Sequence, residues 1–294
     1  MSCTIKKKKG NRLKNRMPGP NLLALGAILL WASLATLGVE LSHLPPFWLT
    51  GVALLIGSVM ALPLSGFDPH QWRVPPATLL LGVYGLFGYH FLLFMALRHA
   101  PPVQANLVNY LWPLGMVVMA PLFLPGLRLT LRQLLAALIG FAGAALVITS
   151  GRSLEAGQLS GYLLALGAAF AWSSYSLLTQ RVPPFPTSAI GLFALVSGLL
   201  SLLCHALLEI PVTMSLRDWG LILLMGLGPL GAAFFLWDAA LKRGQPQQIG
   251  LLSFATPLLS TLTLLWMRGE APSASIGIAT LMIVGAAWLG RTRK

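Results

Sequence analysis

Long apolar segments follow one another along almost the whole chain, separated by short stretches that are polar or rich in proline. A helix that spans a membrane needs about 20 mostly apolar residues, and the pattern contains ten such segments. Helices are predicted near residues 21–41, 47–66, 75–98, 103–124, 130–150, 158–181, 186–209, 217–242, 247–267 and 273–290. The pattern therefore predicts an all-α integral membrane protein with ten transmembrane helices.

The low content of charged residues supports this prediction. Of the 294 residues, 56% are apolar and 9% are charged, whereas roughly a quarter of the residues in a soluble domain are charged. Water is therefore not expected to be the main solvent of the folded chain. The composition favours a membrane protein over a soluble enzyme.

The formal net charge of +13 lies largely in the N-terminal tail, residues 1–20, and at the ends of the predicted helices. The basic residues of the tail are Lys6, Lys7, Lys8, Lys9, Arg12, Lys14 and Arg16. A nucleic-acid-binding domain would carry its basic residues on one folded surface, and the pattern predicts no such domain. We interpret the tail as a cytoplasmic topology signal beside anionic lipid, which makes membrane lipid a predicted partner and nucleic acid not.

The other basic residues predict the orientation of the chain. Ten crossings return the C-terminal residues 291–294 to the side of the tail. If both ends are cytoplasmic, all but four of the 20 lysines and arginines fall on cytoplasmic segments, in agreement with the positive-inside rule. The exceptions are Arg98, Arg152, Arg217 and Arg268.

The two halves of the sequence resemble each other. The segment LLALGAILLWAS at residues 22–33 matches LLALGAAFAWSS at residues 163–174, which aligns Trp31 with Trp172 at an offset of 141. Pro113 aligns with Pro257 at an offset of 144. The sequence thus predicts two five-helix repeats, residues 21–150 and 158–290. Because five is odd, the second repeat is predicted to be inverted in the membrane relative to the first.

Inverted repeats are typical of secondary transporters, since exchanging the conformations of two similar halves moves the opening from one face to the other. The repeat therefore favours transport by alternating access. A duplication that only produces a stable helical bundle is the alternative at this stage.

The motifs of the two halves resemble a known family. An Ala-Leu-basic sequence, at residues 96–98 and 240–242, precedes each helix that contains Pro113 or Pro257. This arrangement resembles the EamA type of the drug/metabolite transporter superfamily over nearly the whole chain. Within it, the segment Asn-Tyr-Leu-Trp-Pro at residues 109–113 is most similar to the YddG aromatic amino acid exporters. The resemblance implies a ten-helix inverted-repeat fold in the bacterial inner membrane and the export of amino acids.

Trp31 and Trp172 are the first candidates for a substrate site. Each lies near the middle of its helix, far from the interface where tryptophan usually resides. A buried indole N–H needs a partner that lipid does not provide, so both side chains are predicted to point inward. Packing between the repeats is the alternative explanation.

The equivalent prolines Pro113 and Pro257 predict kinks in helices 4 and 9. Each proline lacks an N–H and frees the carbonyl four residues earlier, that of Asn109 or Ser253. Free carbonyls beside Tyr110 would suit an ammonium group. A kink stabilised by a hydroxyl side chain or water is the alternative.

Few ionisable residues are predicted inside the membrane, where such residues are functional candidates. His90, beside Tyr89, is either a hydrogen-bonding or proton-carrying group or a packing histidine. Asp238 is predicted to form an ion pair with Lys242 one helical turn later, near the cytoplasmic end of helix 8. The candidate substrate-binding residues are Trp31, Tyr89, His90, Asn109, Tyr110, Trp112, Trp172, Tyr175, Trp237 and Ser253.

Other functions fit the sequence less well. The five histidines are scattered and Cys3 and Cys204 lie far apart, so no catalytic site, metal site or cofactor is predicted. A nucleotide-sugar-type carrier would need fixed cations, whereas the cavity is predicted to be aromatic and nearly uncharged. A multidrug or metabolite exporter of the same superfamily remains an alternative to an exporter of aromatic or hydrophobic amino acids. The energy source stays open, and a monomer or weak dimer is expected.

Overall fold

The computed structural model describes residues 18–149 and 158–291. Most of the basic tail, Arg152 and the last three residues lie outside this part of the chain. The predicted position of the tail next to lipid therefore stays a prediction.

The described residues form helices and no strands. Within residues 18–149 and 158–291, nine helices are long and apolar enough to cross a membrane, and a tenth helix has 16 residues. Their ends agree with the predicted ends to within three residues. In chain order they are α1 Pro20–Glu40, α2 Pro46–Leu64, α3 Pro76–His99, α4 Pro102–Phe123, α5 Leu131–Thr149, α6 Leu159–Leu178, α7 Thr187–Leu208, α8 Leu216–Leu241, α9 Pro246–Arg268 and α10 Ala274–Leu289.

Proline defines the start of half of these helices. It is the first residue of α1, α2, α3, α4 and α9. The missing N–H is not needed at this position, and the fixed φ angle is already helical. In α8, Ser215 and Asp218 form a reciprocal capping box instead. These local signals explain why the sequence predicts the helix ends so closely.

The packing of the helices follows the internal repeat. The equivalent helices α2 and α7, α4 and α9, and α5 and α10 pack against each other across the two halves. The contact between α3 and α6 is matched by the contact between α8 and α1. Exchanging the halves maps this set of contacts onto itself, as expected for two inverted five-helix repeats related by a pseudo-two-fold axis.

The two halves also share their irregularities. A π-helical segment interrupts α3 at Tyr84–Gly88 and α8 at Gly228–Ala232. The first regular part of α4 is Pro102–Asn109, and the first part of α9 is Pro246–Ser253. Both breaks come shortly before the equivalent prolines, because a proline has no N–H to donate to the carbonyl four residues earlier and its ring clashes with that carbonyl. Both helices are therefore interrupted close to the prolines at which the sequence predicts kinks.

Glycine permits close contact between helices of the two halves. A Cβ atom on Gly57 of α2 would lie 2.6 Å from the carbonyl oxygen of Leu230 in α8. A Cβ atom on Gly51 would lie 3.1 Å from the carbonyl oxygen of Gly198 in α7. A larger residue at either position would push two helices apart.

Candidate functional site

A cavity of about 810 Å³ lies between the two halves, within the size range of small-molecule sites. Its lining extends from Trp31 and Trp172 near the middle of their helices to Leu41 and Pro46 at the α1–α2 connection. We call the end of the bundle that carries this connection the open face. The opposite end, which carries the α8–α9 connection at residues 242–245, is the closed face.

Tryptophan side chains form the floor of the cavity. The ring centroids of Trp31 and Trp172 are 5.7 Å apart, and Trp112 lies 6.5 Å from Trp31 and 6.4 Å from Trp172. Trp237 packs beneath them, 5.1 Å from Trp31. The rings meet mostly edge to face, which is a favourable geometry for aromatic pairs. This floor offers an apolar, aromatic surface to a ligand.

The indole N–H groups of Trp31 and Trp237 both have hydrogen-bond partners. Trp31 Nε1 donates a hydrogen bond of 3.1 Å to the carbonyl of Pro229, which lies in the π-helical segment of α8. Trp237 Nε1 donates to Ser176 Oγ at 3.2 Å. The irregular segment of α8 thus supplies a carbonyl group that holds the Trp31 ring in place.

The first half uses its own π-helical segment similarly. His90 Nδ1 lies 2.6 Å from the carbonyl oxygen of Leu86, which is part of the segment Tyr84–Gly88. The carbonyl can only accept, so the proton is on Nδ1. The His90 ring also packs edge to face against Tyr89, with centroids 5.0 Å apart. In the neutral ring, Nε2 remains as an acceptor at the cavity wall.

Two buried oxygens on the cavity wall have no partner within residues 18–149 and 158–291. They are Asn109 Oδ1 and Thr256 Oγ1, which belong to the broken helices α4 and α9. The amide nitrogen of Asn109, by contrast, donates to Tyr89 Oη at 3.2 Å. Buried polar atoms normally have hydrogen-bond partners, so these oxygens are suited to bind a ligand that donates hydrogen bonds.

The structure brings together most of the predicted site residues. Those that line the cavity are Trp31, Tyr89, His90, Asn109, Tyr110, Trp112 and Trp172, together with the kink residue Pro257. Tyr175, Trp237, Ser253 and Pro113 are not part of the lining. Tyr175 packs beside the Trp172 ring at 5.4 Å, and the fully buried Ser253 donates to the carbonyl of Ile249 at 2.9 Å. These four residues are buried beside the lining residues and do not face the cavity.

Several polar lining residues were not predicted from the sequence. They are Ser42, Thr50, Arg98, Asn106, Thr256, Ser260 and Thr261. Thr256 and Ser260 are four residues apart on α9 and share one face of the helix, a spacing that could have revealed them. Arg98, at the end of α3, is the one lysine, arginine, aspartate or glutamate of the lining within the described residues, and it lies at the open end.

Lys242 and Asp238 hold the closed face together. The predicted ion pair is present at 2.6 Å, but it is not confined to α8. Lys242 Nζ also donates to the carbonyl of Phe185 at 2.8 Å, and Thr187 Oγ1 donates to Asp238 at 2.6 Å. Partial burial lowers the pKa of the Lys242 ammonium, and Asp238 counteracts this effect. The pair thus links the end of α8 to the α6–α7 connection.

A second link crosses the closed face nearby. Gln180, just after α6, donates its side-chain N–H to the carbonyl of Leu241 at 2.7 Å. Gln247 of α9 accepts from Gln133 of α5 at 3.3 Å. These contacts tie together the helix ends that would have to separate for the cavity to open on this side.

Comparison with known proteins agrees with the fold and the repeat. The EamA-like transporter family matches the chain twice, over residues 19–149 and 159–291, and each match covers five helices. The aromatic amino acid exporter YddG of Ancylobacter novellus is 39% identical over 272 residues, or 90% of this chain and 94% of that protein. YddG of Escherichia coli is 24% identical over 288 residues, or 92% and 97% of the two chains.

Further similarities point the same way. A probable amino-acid metabolite efflux pump of Salmonella typhimurium is 28% identical over 270 residues, or 84% of this chain and 86% of that protein. A solved crystal structure that is 38% identical superposes with a TM-score of 0.85 over 92% of this chain and 94% of its own. From the two family matches and the ten-helix repeat architecture, we conclude that the chain is a multi-pass membrane protein that belongs to the EamA-like transporter family.

Proposed function

We propose that the chain exports amino acids with aromatic or hydrophobic side chains across the bacterial inner membrane by alternating access. The proposal rests on one observation, that the cavity wall has two chemically different parts. One part is an indole floor around Trp31 and Trp172, and the other contains the unpaired oxygens of Asn109 and Thr256. An amino acid combines an apolar side chain with an ammonium donor and matches both parts.

The names of the relatives support the choice of substrate class. Two are named aromatic amino acid exporters, and a third is named an amino-acid metabolite efflux pump. A nucleotide-sugar-type carrier is disfavoured, because Arg98 is the one lysine or arginine that lines the cavity within the described chain. Phosphate groups are usually held by several such residues.

The repeat supports the mechanism. With cytoplasmic termini, the open face lies outside the cell, and the bundle is in an outward-open state. If the two halves exchange their conformations, the contacts of Lys242 and Gln180 break and the cavity opens toward the cytoplasm. The substrate then binds from the cytoplasm and leaves on the outer side.

Transport by purified protein tests the proposal. We expect proteoliposomes to release labelled phenylalanine and expect Trp172→Ala to reduce this flux at least about tenfold, since truncation removes much of the aromatic floor. Trp288→Ala is the matched control, because this tryptophan of α10 is 66% exposed and does not line the cavity. Full transport by Trp172→Ala would show that the site is elsewhere.

The energy source is tested in the same vesicles. The neutral His90 ring is the candidate proton carrier on the cavity wall. We expect facilitated diffusion, because Asp238 already pairs with Lys242 and no carboxylate lines the cavity in the described residues. Flux that is unchanged when the proton gradient is dissipated agrees with this expectation, and flux that stops demonstrates obligatory proton coupling.

A further inference from the structure

Each half of the chain has a basic residue at the same position of the repeat, and the two residues lie near opposite faces of the bundle. Arg98 ends an Ala-Leu-Arg sequence in α3, and Lys242 ends an Ala-Leu-Lys sequence after α8, at an offset of 144. The Arg98 guanidinium carbon lies 5.5 Å from the centre of the Phe47 ring, and Lys242 Nζ lies 3.8 Å from the centre of the Phe185 ring. Each cation thus contacts an aromatic ring near the start of the second helix of its own half.

The two cations differ in how their charge is balanced. Lys242 is paired at 2.6 Å with Asp238, one turn earlier in the same helix. The residue equivalent to Asp238 in the first half is Phe94, which carries no charge. The partner of Arg98 comes from another helix, and its nearest nitrogen lies 3.4 Å from a carboxylate oxygen of Glu209, just after α7.

The carboxylate of Glu209 has three polar partners besides Arg98. Its carboxylate accepts hydrogen bonds of 3.0 and 3.1 Å from the backbone N–H groups of Phe47 and Trp48. It also lies 3.0 Å from His205 Nδ1. The two backbone groups belong to the N-terminus of α2, where a negative charge is favourable. Arg98 therefore contributes only the longest of four contacts to this carboxylate.

Arg98 has room to bind a second anion. Its side chain is 35% exposed and lines the open end of the cavity, whereas Lys242 is not part of the lining. The long contact to Glu209 uses one guanidinium nitrogen, and the structure gives no further hydrogen bond to Arg98 from the described residues. A guanidinium group can bind a carboxylate through two parallel hydrogen bonds.

We propose that Arg98 is the carboxylate subsite of this transporter at the open end of the cavity. The inference rests on the proposed function, since it takes the cargo to be an amino acid. Arg98 attracts the substrate carboxylate and so distinguishes amino acids from amines of similar shape. On the closed face, Asp238 neutralises the equivalent Lys242, so the carboxylate subsite is present at the open end alone.

A competition experiment tests this assignment on the purified full-length protein. Bound labelled phenylalanine is displaced by unlabelled phenylalanine or by phenylalaninamide, which keeps the ring and the ammonium group but lacks the carboxylate. We expect the wild type to prefer phenylalanine by about tenfold and expect Arg98→Ala to lose this preference while its affinity for the amide stays unchanged. Unchanged amide binding also demonstrates that the variant is folded. Arg98→Lys should restore part of the preference, because it retains the charge without the planar fork.

Arg217→Ala is the matched control. Arg217 also lies at the open face and pairs with a glutamate, Glu40, but it does not line the cavity. We expect this variant to keep the full preference for phenylalanine. A preference that survives in Arg98→Ala, a loss of affinity for both ligands alike, or a wild type without any preference would overturn the subsite. A wild type that binds no amino acid would instead contradict the proposed function itself.

Discussion

Thr256 differs from Ser253 and Thr263 of the same helix in the surroundings of its hydroxyl oxygen. Ser253 Oγ donates to the carbonyl of Ile249 at 2.9 Å, and Thr263 Oγ1 donates to that of Leu259 at 2.8 Å. Thr256 Oγ1 is buried and has no partner within the described residues. Because an unpaired buried hydroxyl is unfavourable, we expect a bound substrate to complete its hydrogen bonding.

Replacing Thr256 by valine tests this role at constant side-chain shape. We expect Thr256→Val to raise the concentration of phenylalanine needed for half-maximal transport roughly tenfold, because a hydrogen bond to a charged group contributes about 1.5–3 kcal/mol. Thr263→Val is the control, since Thr263 lies on the same helix but does not line the cavity. If both variants need the same concentration of phenylalanine for half-maximal transport, Thr256 does not bind the substrate.

At the level of helices, the closed face depends on how the end of α8 is held. Lys242 joins α8 to the α6–α7 connection through Phe185, and Gln180 joins the end of α6 to α8. Arg181 makes a different contact, a 2.7 Å hydrogen bond to the carbonyl of Phe123 at the end of α4. If α8 moves away from α6 and α7 during transport, the contacts of Lys242 must break. The Arg181 contact joins α6 to α4, and these two helices also pack along their length. It is therefore not expected to break.

Lys242→Met is therefore expected to favour opening of the closed face. The test uses a Ser176→Cys reporter in a background without the native cysteines, because Ser176 is fully buried below Trp237. We expect a water-soluble maleimide to label the reporter at least about threefold faster in Lys242→Met, since the loss of a partly buried ion pair shifts a two-state equilibrium. Arg181→Met is the control. Similar labelling rates in both variants would argue against Lys242 as the closing contact.

For the whole molecule, the even number of helices has a direct consequence for the chain ends. Ten crossings predict that both ends lie on one side of the membrane, and the excess of basic residues predicts that this side is the cytoplasm. The α9–α10 connection, which contains the exposed Glu270, is then expected on the other side. The inversion of the second repeat follows instead from the odd number of five crossings in each repeat.

Cysteine labelling in intact cells tests the topology. We expect Cys3 and a cysteine introduced by Lys294→Cys to react only after the cells are permeabilised, each examined in a chain without other cysteines. A cysteine introduced by Glu270→Cys should react with an impermeant reagent from outside. Reaction of Cys3 and the Lys294→Cys variant from opposite sides would contradict the ten-helix arrangement.

The sequence alone determined the helices, their ends and the repeat. These features depend on local properties, such as the apolar length that a bilayer requires, proline at the first helical position and the alignment of Trp31 with Trp172. The aromatic part of the cavity was also predictable, because a tryptophan far from the interface must point inward. The interruptions of α4 and α9 lie close to Pro113 and Pro257, where the sequence predicts kinks.

Tertiary structure decided which face of each helix meets the cavity. Trp237 and Ser253 have the same chemistry as the lining residues, but the rotation of α8 and α9 turns them into the packed interior. Arg98 lies at a helix end in the sequence and still reaches the cavity mouth. The π-helical segments were not predicted, although Pro229 in the segment of α8 lacks the N–H that regular helical hydrogen bonding needs. The rotation of each helix about its axis depends on contacts between segments more than 100 residues apart, such as the Trp31–Pro229 hydrogen bond. A local sequence pattern contains no information about such contacts.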